Sequence, residues 1–77
     1  MRTAKTYQSI HDSELTLTVT PINRPNADYE AVLSHPEATA PIYEHAFLWY
    51  TPDEIASRVE DAIADKYGKR LDLTPVN

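Results

Sequence analysis

The segment from Thr51 to Gly68 writes both ends of a helix into the sequence, and its one apolar stripe obliges the remaining chain to cover it. Thr51 suits the N-cap, Pro52 the first helical position, and Glu54 completes a Thr-x-x-Glu capping box. Asp53 and Glu54 meet the positive end of the helix dipole, while Lys66, Lys69 and Arg70 lie near the negative end. Gly68, the only glycine in the chain, supplies the left-handed stop. Ile55, Val59, Ala62, Ile63 and Tyr67 recur at helical spacing and form the apolar stripe. The pattern predicts a helix over 52–67.

The cover is predicted to be a sheet. Glu14 to Thr20 alternates Leu15, Leu17 and Val19 with three threonines, as a strand with one wet face does. Pro21 is expected to end it, with Pro21 to Asn26 as a turn. Residues 42–50 form a second strand, with Tyr43, His45, Phe47 and Trp49 on one side and Glu44, Ala46, Leu48 and Tyr50 on the other. Apolar groups on both sides suggest a central strand, or one whose outer face meets a partner. Residues 27–34 fit either a strand or a short helix, and the flanking turn residues favour the strand. Thr3 to Ile10 adds a fourth strand, and Leu71 to Thr74 a short closing edge. The expected fold is therefore α+β: a small antiparallel sheet of three to four strands with one C-terminal amphipathic helix packed on one face. With 77 residues the chain forms one domain, 1–77.

Charge is distributed unevenly along this scaffold. Between Asn26 and Asp65 nine acidic side chains face a single base, Arg58, although the whole chain carries only −5. A field of that sign repels nucleic acid and anionic membrane and attracts basic protein surfaces. A single glycine removes phosphate-cradling loops and dinucleotide fingerprints. The absence of cysteine removes disulfides and cysteine-based zinc sites, and the N-terminal residues lack the apolar run of a signal peptide. A soluble, cytoplasmic setting is the expectation.

No catalytic constellation stands out. His11, His35 and His45 lack metal-ligand spacing, and His45 and its neighbour Glu44 point to opposite faces of a strand. Ser9 and Ser34 have histidines close in sequence, but a triad is defined by geometry, which short separations do not supply. Asp53-Glu54 is explained by helix capping. Asp61 and Asp65, one helical turn apart, repel each other by a few tenths of a kcal/mol, a small penalty that leaves room for a use of negative potential. Four aromatic residues between Tyr43 and Tyr50 exceed what one core face can hold, and aromatic side chains concentrate at interface centres. No enzyme, cofactor or metal is expected.

These observations point to a protein-binding inhibitor or regulator that docks on a basic, nucleic-acid-binding surface of a partner complex. The expected contact residues are Glu44, Tyr50, Asp53, Glu54, Glu60, Asp61 and Asp65, with Tyr43, Tyr50 or Trp49 as aromatic anchors, and self-association as a homodimer is a further option. In size and charge the chain resembles the small acidic phage proteins that block host defence complexes, such as anti-CRISPR proteins. The order of Tyr29-Glu30-Ala31, then Thr51-Pro52-Asp53-Glu54 opening a helix, is similar to the sheet-then-capped-helix pattern of HicB-type antitoxins. That resemblance covers about half the chain and lacks the glycines common near that family's strand and turn. It implies an antitoxin-like module that neutralises a small basic ribonuclease by direct binding, and a structural accessory subunit is a third reading.

Overall fold

The computed structural model describes residues 3–76. Five strands and one helix follow in the order β1 (Lys5–Ser9), β2 (Asp12–Arg24), β3 (Ala27–Ser34), β4 (Tyr43–Phe47), α1 (Pro52–Tyr67) and β5 (Leu73–Val76). The strands form one antiparallel sheet in the spatial order β4-β3-β2-β1-β5. The fold is α+β, with α1 on one face. The sheet has one strand more than the three to four expected, and the helix is followed by β5, which crosses back to pair with β1. Among the described residues no helix is long and apolar enough to cross a membrane.

The helix begins and ends where its caps place it. The Thr51 hydroxyl accepts the Glu54 N–H, and the Glu54 carboxylate accepts the Thr51 N–H at 2.9 Å. At the other end Gly68 adopts φ 72° and donates its N–H to the Ala64 carbonyl at 2.8 Å. A side chain at that φ would be strained, which is why glycine stands there.

Period-two alternation sets the core face of the sheet. Tyr43, Leu33, Leu17, Tyr7 and Pro75 lie side by side across all five strands, with His45, Ala31, Val19 and Lys5 in the next row. Ile55, Ala56, Val59 and Ile63 of α1 are buried in one cluster with Leu17, Val19, Ala31, Leu33 and Phe47 of the sheet. The opposite face carries Thr6, Thr16, Thr18 and Thr20 beside Val32, Glu30 and Glu44, the composition of a solvated sheet surface.

Four expectations need correction. Pro21 does not end β2, which runs on to Arg24. Pro21 lies beyond the last residue paired with β1, and the β2–β3 register shifts between Pro21 and Arg24, so the missing N–H falls at an irregularity that tolerates it. The predicted 42–50 strand is shorter, ends at Phe47, and lies at the edge of the sheet instead of its centre. Trp49 leaves that strand's core side and is 83% exposed. Tyr67, assigned to the apolar stripe, is half exposed, and Ala56 is buried in the stripe instead.

Leu17 is fully buried beneath α1. A Leu→Ala change in a core costs about 2–5 kcal/mol, against a total of about 4–11 kcal/mol for a domain of this size. Leu17→Ala should therefore lower the urea midpoint sharply in circular dichroism. An unchanged midpoint would contradict this packing.

Candidate partner-binding surface

The acidic side chains divide according to which side of α1 they occupy. Asp53 and Glu60 sit toward β1 and β5, around a depression shared with Tyr7, Leu73 and Pro75. There Asp53 Oδ1 accepts the Lys5 ammonium at 2.8 Å and the Tyr7 hydroxyl at 2.6 Å. The bond from Lys5, then that from Tyr7, holds the Asp53 carboxyl below its ordinary value of 3.8. Burial, followed by the bond to Asp53, pushes the Tyr7 phenol well above its usual range. Glu60 accepts the Leu73 N–H and lies 3.7 Å from the Arg70 guanidinium. Its side chain, only 15% exposed, anchors β5 to the helix.

Glu54, Arg58, Asp61 and Asp65 follow one another at helical spacing on another ridge of α1. Tyr50, Glu54, Arg58 and Asp61 line a shallow depression there. The Arg58 guanidinium stacks over the Tyr50 ring at 4.5 Å, and Tyr50 meets Phe47 of β4 edge to face at 6.0 Å. This ridge thus lies on the β4 side of the helix. Bonding to Thr51 through its backbone and then its side chain lowers the Glu54 carboxyl, with Arg58 adding a smaller attraction. Glu44 is exposed on β4 itself, on the wet face of the sheet, with Glu30 on the neighbouring strand.

Of the seven residues expected at the interface, the fold sets Tyr50, Glu54 and Asp61 around one depression beside β4, carries that ridge of α1 on to Asp65, and puts Glu44 on the opposite face of the sheet. It turns Asp53 and Glu60 to the other side and neutralises them with Lys5 and Arg70, so the anionic patch is smaller than the sequence suggests. The reason is tertiary: Lys5 arrives from 48 residues away, and Arg70 is folded back onto α1 by the chain beyond Gly68. Trp49, one of the aromatic anchors expected from the sequence, is exposed between β4 and the Thr51 cap. Its φ is 74°, and its N–H is held by Asp28 Oδ2 at 3.2 Å. The chain must turn from β4 into the Thr51 cap within a few residues, and no glycine is present to absorb the turn. Thr51 is itself extended, as a residue before proline must be.

Asp12, Glu14 and His35 are a second grouping that the sequence spacing did not disclose; their ligand atoms lie within 4.8 Å of one another. His35 Nδ1 accepts the Glu37 N–H at 3.1 Å, which leaves the proton on Nε2 to face Asp12 Oδ2 at 3.0 Å. A metal on Nε2 would require that proton to move to Nδ1, against the Glu37 N–H. The bonds to Glu14 and then His35 lower the Asp12 carboxyl. The arrangement acts as a clamp between the β1–β2 turn and the loop after β3. Ser9 has a comparable role: its buried hydroxyl donates to the Leu71 carbonyl at 2.7 Å and accepts the His11 N–H.

Comparison of the chain with protein-family models, curated proteins and solved structures finds no match.

Because the folded Asp53 pKa lies below the unfolded one, its stabilising contribution is complete above about pH 4 and disappears as pH falls through the folded value. Asp53→Asn should be less stable than the parent at pH 7. The difference should shrink toward pH 2, as read from urea midpoints across that range. A difference independent of pH would show that the Lys5–Asp53–Tyr7 contact is not electrostatic in origin.

Proposed function

We propose that this domain is a non-enzymatic inhibitor or regulator that docks on a basic surface of a protein partner. The reading rests chiefly on the acids on either side of β4. From Pro25 to Ser57 there is no lysine or arginine, with Glu44 and Glu30 on one face of the sheet at β4 and Glu54 and Asp61 beside Tyr50 on the other. A partner groove that normally holds nucleic acid would meet carboxylates where phosphates lie, so the domain would compete with DNA or RNA for it. The phage inhibitors that the chain resembles in size and charge would use such a surface, and neutralisation of a basic ribonuclease would use the same contacts. Long-range attraction would raise the association rate and make binding sensitive to salt.

The test is affinity capture from the native host at low salt, followed by binding measurements with the purified partner. Reversing Glu44, Asp61 and Asp65 to lysine should weaken binding by about tenfold or more and flatten its salt dependence. All three side chains are exposed, so the fold should survive, which circular dichroism can check. Equal affinity for parent and variant across salt concentrations would refute the electrostatic reading.

A further inference from the structure

The two edges of the sheet differ. β5 is a four-residue edge containing Pro75, which cannot donate a backbone hydrogen bond. Proline and short length are two of the devices that keep an edge from pairing. β4 has five residues in unbroken register with β3 and contains no proline, lysine or bulge. Among the described residues no strand pairs with its outer side. At its C-terminal end Trp49 stands 83% exposed in a left-handed conformation fixed through its N–H by Asp28.

We propose that the outer edge of β4 is a strand-addition site, which takes an extended segment of a partner protein bearing lysine or arginine at alternate positions. Backbone pairing with Tyr43–Phe47 supplies the affinity, and the side chains on either side of the strand select the occupant. On the wet face the added strand lies beside Glu44, with Glu30 one strand further in. On the helix side the nearest acids are Glu54 and Asp61, which share a depression with Tyr50, itself packed on Phe47 of β4. Neither β3 nor β4 carries a lysine or arginine. A second copy of this chain is a poor occupant. Full antiparallel pairing of two β4 strands would set the two Glu44 side chains diagonally on one face and join two bodies of charge −5. Trp49 packs over one end of the added strand as an aromatic anchor.

The choice of a basic occupant rests on the acidic docking reading; the strand-addition mode does not. Four synthetic peptides separate the two. The first alternates lysine and valine over eight residues. The second has the same sequence with alternate backbone nitrogens methylated. The third alternates glutamate and valine, and the fourth is its N-methylated counterpart. The readouts are the emission of Trp49, the only tryptophan in the chain, and amide shifts in the ¹⁵N–¹H spectrum. The lysine peptide should bind with a Kd at or below about 100 µM, shift Trp49 emission to the blue and move the amides of residues 43–49. Methylation should weaken it at least tenfold, because it removes the paired N–H groups without changing charge. Equal binding of the two lysine peptides would overturn strand addition and leave the acidic docking reading standing. Tighter, methylation-sensitive binding of the glutamate peptide would keep the edge and overturn the charge assignment. No response to any peptide at about 1 mM would overturn the inference.

Discussion

The packing of Ile55, Val59 and Ile63 against Leu17, Val19 and Leu33 is the contact from which the other features of this domain follow. Each of these side chains is buried, and full burial of such a group contributes about 1.5–3 kcal/mol. With no disulfide available, this layer is the main source of cohesion. It also fixes the rotation of α1 about its axis. Once the stripe faces the sheet, Asp53 and Glu60 must point toward β1 and β5, and Glu54, Asp61 and Asp65 toward β4. The division of the acids is therefore a consequence of core packing.

That division gives the two sides of the helix different roles. On the β1–β5 side, carboxylates meet Lys5, Tyr7, Arg70 and the Leu73 N–H, and they tie the first and last strands to the helix. Glu60 is the clearest case, because its carboxylate reaches a backbone donor of β5 as well as a guanidinium. On the β4 side, Arg58 is drawn over the Tyr50 ring, and Asp61 and Asp65 remain at the surface. Charges of the first kind act on stability, and those of the second kind stay at the surface.

Local signals were legible in the sequence where they were complete within a few residues. The helix runs from Pro52 to Tyr67, as Thr51, Glu54 and Gly68 imply, because each cap is satisfied by neighbours. The alternation of 27–34 settles as β3, with Ala27, Tyr29, Ala31 and Leu33 all buried. What depended on distant partners was not legible. Whether the Asp53 carboxylate is ion-paired is decided by Lys5, 48 residues away. The aromatic run from Tyr43 to Tyr50 suggested a central strand, because a sequence does not disclose that a strand borders solvent. The meeting of Asp12 with His35 required the β1–β2 turn and the end of β3 to be adjacent in space.

On the reading proposed above, the domain presents its β4 edge, and not its β5 edge, to a basic partner. Hydrogen–deuterium exchange on the complex with the partner recovered from the host addresses it most directly. The account requires slowed exchange in residues 43–49, with residues 73–76 unchanged from the free protein. Slowed exchange confined to β5, or to the β1 and β2 segments, with 43–49 unaltered, would contradict it.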